Sequence, residues 1–323
     1  MPVHAFVFPG QGSQTVGMGR DLAAAFAPAR EVFGEVDDVL GQKLSKLMFD
    51  GPPEDLTLTE NTQPALMAMS LAVLRVLEHE GGFKLVDRAV LVAGHSLGEY
   101  AALAAAGALS IADTARLLRQ RGVAMQAAVA PGAGAMAALL GVELEAAAAI
   151  CADAAVLTHE DGRTERQVVE PANDNGGGQV VISGHRAAVE RAIELAKSRG
   201  VKRAMLLPVS APFHCALMAP AAAIMQERLG ETTVREPIVP LISNVTAGRV
   251  TDPDDIRARL VQQVTGTVRW RESILAMRAM GVDSVIELGA GRVLTGLTRR
   301  IDPEMHGAAA STPAEIETLL KAL

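Results

Sequence analysis

The chain has 323 residues, enough for one large domain or two ordinary ones, and its 49% hydrophobic and 21% charged residues are ordinary globular values. Only 3% of the residues are aromatic, so the core must be filled by Ala, Leu, Val and Met, which argues against a stacking platform for single-stranded nucleic acid. A net charge of −7 gives no global field for polyanions, and Cys151 and Cys215 are too few for a disulfide framework. A soluble monomer of the reducing cytoplasm is expected, with neither nucleic acid nor membrane as a partner. No charged-then-apolar leader opens the sequence, and no window of about 18 residues is apolar without interruption.

In chain order, Val3 to Phe8 reads as a buried strand broken by the loop Pro9-Gly10-Gln11-Gly12-Ser13-Gln14. Residues 64 to 80 read as a helix, with Leu66, Met69, Val73 and Leu77 on one face and Gly81-Gly82 as its stop. Ala89 to Ala93 is a short apolar run, Gly94 turns the chain, and a small-residue helix follows from Leu97 to about Gly107. A second helix over 111 to 129 has Ser110 as its N-cap and Asp113 in its first turn.

The pattern then changes. Ala135–Val142 reads as a strand, Leu144–Ala155 as a helix, Val168–Pro171 and Gln179–Ser183 as strands, Ala187–Arg199 as a helix and Val201–Val209 as a strand. That βαββαβ order is a ferredoxin-like unit. The expected fold is therefore α/β: a large α/β-hydrolase-like domain formed by 1–129 and 208–323, with a small ferredoxin-like domain, 130–207, inserted. Thr158 to Arg166 is polar and unpatterned and reads as an exposed loop, and Pro240–Val245 and Ser284–Leu288 read as further strands.

The chemistry concentrates at Gly94-His95-Ser96-Leu97-Gly98. Between a strand and a helix this is a nucleophile elbow. The flanking glycines permit a strained turn that lifts the serine hydroxyl clear and sets the next residue's N–H beside it as an oxyanion donor. The serine needs a base, and there are seven histidines. His95 sits inside the elbow and suits a structural role; His4, His79, His159, His185 and His306 lie in a strand, on a helix face or in polar loops. His214 follows the loop Ser210 to Phe213 after a strand, where open α/β sheets carry their active-site loops. No acidic residue offers itself as a third member, because Asp153, Asp161 and Asp174 fall in the small domain, and a backbone carbonyl can take that place in a Ser-His dyad.

Arg121 lies between Leu117 and Met125 on the apolar side of its helix, whereas Arg116 and Gln120 point the other way. A buried guanidinium requires an anion or several acceptors, which is met either by an internal salt bridge or by a substrate carboxylate. Three motifs are set aside. Gly10-Gln11-Gly12 lacks the third glycine of a dinucleotide fingerprint and the Lys of a P-loop. Glu287 to Gly291 has the wrong spacing for a methyltransferase loop. Cys215 reads as a small buried hydrophobe. No metal-ligand cluster is present, so neither a metal nor a bound cofactor is expected.

With Gly10 to Gln14, the block from Gly94 to Tyr100, Arg121 and Phe213-His214 assembled, the chain resembles end to end the malonyl-CoA:acyl carrier protein transacylases of bacterial fatty-acid synthesis. The resemblance implies a two-step exchange between malonyl-CoA and the phosphopantetheine thiol of acyl carrier protein, through an ester on Ser96 with His214 as base. It further implies that Gln11 and the Leu97 N–H form the oxyanion hole, that Arg121 holds the malonyl carboxylate, and that the carbonyl of Gln263 orients His214, with Gln262 an adjacent rival. Phe213 resembles malonyl-selective members, although Ala211-Pro212 departs from the modular-synthase pattern. The same transfer serving polyketide synthesis, a serine thioesterase or esterase, and a non-catalytic carrier-binding module are the alternatives. Arg116, Arg119, Lys197, Lys202, Arg203, Arg299 and Arg300 form either a docking patch for the carrier or merely solvated helix faces.

Overall fold

The computed structural model describes residues 3–158 and 161–323. Along the chain its strands are β1 (His4–Phe8), β2 (Ala89–Gly94), β3 (Gly134–Leu140), β4 (Val156–Thr158), β5 (Thr164–Arg166), β6 (Val169–Asp174), β7 (Gln179–His185), β8 (Arg203–Leu206), β9 (Leu241–Ile242), β10 (Arg249–Val250), β11 (Ser284–Leu288) and β12 (His306–Ala310). They build a six-stranded sheet of order β10-β9-β2-β1-β11-β12, a four-stranded sheet of order β6-β7-β3-β8, and a β4–β5 hairpin. In the large sheet every pairing is parallel except that of β9 with β10. Parallel strands need helical crossovers, which cover both faces; this is why Ala5 to Phe8 form an unbroken apolar run and are all fully buried. The fold is thus a mixed α/β one with a parallel sheet wrapped by helices.

The small sheet is antiparallel throughout and shows the alternation such sheets require. Ala135, Ala137 and Leu139 of β3 face the helices Leu144–Ala154 and Arg186–Ser198 and form a separate apolar cluster with them. Met136 between them points the other way, into the main core with Ala172 and Val181. The small sheet is tied by main chain to the loop between the helices Pro253–Thr265 and Trp270–Ala279. Val268 donates its N–H to the Ala172 carbonyl and accepts from the Asp174 N–H, each at 2.9 Å, and the buried Asp174 carboxylate pairs with Arg271 at 2.8 Å.

Several expected boundaries move for identifiable reasons. The helix expected from residue 64 begins at Thr59 and runs to Gly81, with Pro64 inside it. Proline has no N–H for the carbonyl four residues back, and that carbonyl, of Glu60, accepts instead from Arg119 Nη1 at 3.3 Å. The strand expected over Pro240–Val245 shrinks to Leu241–Ile242, because the Asn244 N–H leaves the ladder for the Glu99 carboxyl. The strand expected over Val201–Val209 is limited to Arg203–Leu206, after which the chain turns to line a cavity.

The stretch from Thr158 to Arg166 was expected to be unpatterned, yet its ends pair in the β4–β5 hairpin, with Gly162 in the left-handed region at φ 79°. His159 and Glu160, also within that stretch, lie outside the described residues. The helix Ile111–Ala127 has the Ser110 cap that was expected: its side chain accepts from the Asp113 N–H at 2.9 Å. No helix among the described residues is long and apolar enough to cross a membrane.

Candidate active site

Ser96 lies at the C-terminal end of β2 with φ 53° and ψ −110°, a strained conformation, and the helix Leu97–Ala105 starts at the next residue. The flanking glycines are dictated by contact. A Cβ on Gly94 would lie 1.9 Å from the Gly98 backbone, and one on Gly98 would lie 2.1 Å from the Phe8 carbonyl oxygen. The elbow is also pinned from outside, because Asn244 Oδ1 accepts from the Ser96 N–H at 2.8 Å and its Nδ2 donates to the Gly94 carbonyl at 2.7 Å. Leu97, the first residue of the helix, has no preceding helical carbonyl for its N–H, which is the orphan donor an oxyanion hole uses.

His214 also has a left-handed backbone, φ 59°, and its Nε2 lies 2.7 Å from Ser96 Oγ. On the far side of the ring, Nδ1 lies 2.8 Å from the Gln263 carbonyl oxygen. A carbonyl can only accept, so Nδ1 carries the proton and Nε2 turns its lone pair to the serine hydroxyl. The geometry selects Gln263, which is buried, over Gln262, which is exposed. Burial first, and the Arg121 charge second, push His214 down to about 3, so its imidazole is neutral at neutral pH.

Arg121, at 1% exposure, is among the largest fully buried side chains. Its Nη1 donates to Gln63 Oε1 at 2.7 Å, and its Nη2 to Gln263 Oε1 at 2.9 Å and to Ser96 Oγ at 3.2 Å. The guanidinium lies over the Tyr100 ring, 5.6 Å from its centroid. Among the described residues no carboxylate comes within salt-bridge distance, so the internal salt bridge considered from sequence does not form; neutral amides hold the cation. Desolvation lowers the pKa of Arg121.

These groups converge on a cavity of about 510 Å³ lined by Ser96, Leu97, Arg121, His214, Gln11 and Phe213, with Gln263 behind. Gln11 reaches it from the loop after β1, and its Oε1 accepts from Thr59 Oγ1 at 2.9 Å. Met125, Met136 and Val209 supply apolar wall, and Arg300 stands among the lining residues. His95, given a structural role from its position, lines the cavity too; its Nε2 meets Asn175 Oδ1 at 2.9 Å and its ring packs near Trp270. Cys215 is buried, and burial pushes its thiol up to about 11. Among the described residues no group of three or more His, Cys, Asp or Glu could hold a metal ion.

Sequence reasoning passed over Gln63, Glu99 and Asn244. Gln63 ends a polar run, Thr59-Glu60-Asn61-Thr62, and carried no signal that set it apart. Glu99 had only the appearance of a first-turn carboxylate, and Asn244 gave no signal beyond a short apolar run before it.

The described geometry can be set beside known proteins. The pattern of the acyl transferase domain matches residues 5–302. The malonyl CoA-acyl carrier protein transacylase of Escherichia coli (strain K12) is 46% identical over 321 residues, covering 99% of this chain and all of that protein. The crystal structure of acyl-carrier-protein-S-malonyltransferase from Bartonella henselae superimposes with a TM-score of 0.93 at 54% identity, covering 99% of each chain. A type II PKS acyl-carrier protein in complex with its malonyl-transacylase gives a TM-score of 0.93 at 42% identity, with 99% of this chain and 100% of that one covered. An elbow serine 2.7 Å from a carbonyl-oriented histidine, within a fold shared over almost its whole length, makes this chain a member of the acyl transferase domain family.

Proposed function

We propose that this chain is a malonyl-CoA:acyl carrier protein S-malonyltransferase, which moves the malonyl group from malonyl-CoA to the phosphopantetheine thiol of acyl carrier protein and so supplies extender units for fatty-acid synthesis. The observation that carries this reading is Arg121, a buried cation with no carboxylate partner among the described residues, 3.2 Å from the Ser96 hydroxyl. Such a site favours an acyl group that brings its own carboxylate, because any other leaves the guanidinium held only by neutral acceptors.

In this reading His214 Nε2 takes the hydroxyl proton as Ser96 Oγ attacks the thioester carbonyl. The oxyanion is held by N–H groups of Leu97 and Gln11, the C–S bond breaks, and the proton passes from His214 to the departing coenzyme A sulfur. The carrier thiol then gives its proton to His214 and attacks the Ser96 ester, and the serine recovers its proton as the C–O bond breaks. The Gln263 carbonyl replaces a triad acid. Pairing of Arg121 with the acyl carboxylate also weakens the positive field on His214, so a carboxylated substrate meets a more basic imidazole. Phe213 narrows the cavity against branched extenders. No bound cofactor is needed.

We further read residues 130–207 as a ferredoxin-like insert in an α/β-hydrolase-like unit of 1–129 and 208–323, a division supported by the order β6-β7-β3-β8. The carrier-facing patch is narrower than its seven candidates. Arg116, Arg119 and Lys197 are engaged by Asp113, Glu60 and Glu194. Lys202 packs near Gly141, Arg203 stands in register with Leu140, which pairs on its other side with Gln179, and Arg300 Nη1 reaches Gln179 Oε1 at 3.4 Å; of these cations Arg300 lines the cavity, and Arg299 is exposed beside it. Two free buried thiols suit a reducing cytoplasm. The neighbour bound to a polyketide carrier favours, as a second reading, the same transfer in polyketide synthesis.

Intact-mass analysis after brief exposure to malonyl-CoA tests the reading. The chain should gain one malonyl group, Ser96→Ala should gain none, and Arg121→Ala should lose malonyl transfer by on the order of 100-fold while losing far less acetyl transfer. Equal losses on both acyl groups remove the carboxylate role, and rapid malonyl-CoA hydrolysis without carrier makes the chain a thioesterase.

A further inference from the structure

Glu99 is fully buried, one helical turn beyond Ser96, and has no part in the transfer steps described above. Its Oε2 accepts from Gln263 Nε2 at 2.7 Å and from the Asn244 N–H at 3.1 Å. Gln263 serves the site with two different atoms. Its main-chain carbonyl meets His214 Nδ1, while its side-chain Oε1 accepts from Arg121 Nη2.

A side-chain amide keeps its shape when turned end for end, but its donor and acceptor change places. Turned, Gln263 would present NH2 to the Arg121 guanidinium, donor against donor, and the cation would lose one of its few acceptors. Gln263 Nε2 also lies 2.9 Å from the Ser96 carbonyl and 3.3 Å from Asn244 Oδ1. A carboxyl oxygen is the strongest of these acceptors when ionised, and it makes the shortest contact.

We infer that Glu99 is a positioning residue for acyl selection: by accepting from the Gln263 amide it fixes which end of that amide faces Arg121, and thereby holds the guanidinium in place for the acyl carboxylate. The same contact steadies the residue whose carbonyl orients His214, so one buried carboxyl sets both the clamp and the base. A Gln at position 99 still offers an acceptor to Gln263 and Asn244, whereas Ala offers none. The inference rests on the malonyl-transfer reading.

The test is a comparison of initial acylation rates with malonyl-CoA and acetyl-CoA, read by intact mass on the full chain. The chains compared are the wild type, Glu99→Ala, Glu99→Gln, Gln263→Met and the double variant Glu99→Ala/Gln263→Met. Glu99→Ala should lower the malonyl-to-acetyl ratio by about ten-fold, while Glu99→Gln stays within about three-fold of the wild-type ratio. The double variant should fall no further than Gln263→Met alone, because both changes act along one path.

A wild-type ratio in Glu99→Ala, a Gln variant as impaired as the Ala variant, or losses that multiply in the double variant would each overturn the inference. Should Glu99→Ala fail to fold, the remaining pair decides: a lowered ratio in Gln263→Met beside a retained one in Glu99→Gln supports it, and any other combination refutes it. A wild-type chain that takes up no malonyl group refutes the transfer reading itself. One that does, with an unchanged ratio in Glu99→Ala, refutes only the role of Glu99.

Discussion

Burial drives the two titratable groups beside Ser96 in opposite directions. His214 is pushed down to about 3, chiefly by desolvation and then by the Arg121 charge, while Glu99 is pushed up to about 7 by desolvation. The unfolded chain binds a proton at His214 below its ordinary 6.5 that the folded chain refuses until about 3, so this contribution to stability falls as the pH drops through that window. Glu99 behaves the other way. The folded chain retains its proton until about 7, whereas the unfolded carboxyl releases it above 4.5, so stability is fully present below 4.5 and is lost as the pH rises through 7. Glutamine at position 99 cannot ionise. The melting temperature of Glu99→Gln relative to wild type should therefore climb by a few degrees between about pH 5 and about pH 8, measured by thermal scans in matched buffers. A difference that stays constant with pH would place the Glu99 pKa outside this window. At this scale the sequence showed Ser96, His214 and Arg121, because each breaks a local rule: a serine between glycines, a histidine after a sheet-edge loop, a cation on an apolar stripe. Gln63, Glu99 and Asn244 break none, and they meet their partners across 58 to 164 residues of chain.

The elements divide in the same way. The Ile111–Ala127 helix was legible because its cap, its first-turn Asp113 and its apolar face all agree. The helix read from the apolar face beginning at Leu66 extends back to Thr59, past Pro64, where Arg119 satisfies the freed Glu60 carbonyl. The two-residue β9 was over-read because an apolar run cannot reveal that the next amide has a better partner outside the ladder. The elbow yields the sharpest test among the elements. Gly94→Ala would drive a methyl into the Gly98 backbone at 1.9 Å, where no side chain can give way. It should destabilise the chain by several kcal/mol and leave little soluble protein, as assessed by expression yield and urea unfolding. Gly34→Ala meets nothing within 4 Å and serves as the control that should be neutral or slightly stabilising.

Over the whole molecule, the proposed division into two units follows the change in sequence pattern near residue 130, but the joints that tie the small sheet to the loop at Val268 could not be read from it. They are backbone bonds between Ala172, Asp174 and Val268, made by atoms that every residue type carries. Charge distribution is the other property at this scale. A net charge of −7 coexists with the cations Lys202, Arg203 and Arg300, of which Arg300 lines the cavity. Reversing Lys202 and Arg203 to Glu should raise the Michaelis constant for carrier protein by roughly ten-fold, with a reduced salt dependence, and leave malonylation of Ser96 by malonyl-CoA intact. An unchanged constant would remove these residues from the docking surface.

The backbone joint at Val268 has a further consequence for how such a chain can change over time. A frame held by main-chain bonds presents nothing for substitution to erode, whereas the lining at Met125, Met136 and Phe213 is pure side chain. Mutational drift can therefore repaint the cavity one residue at a time, shifting the preferred acyl group, while the Val268 joint is kept; the register of Ser96 and Arg121, in contrast, depends on the side chains of Asn244, Gln63 and Gln263 and is open to loss.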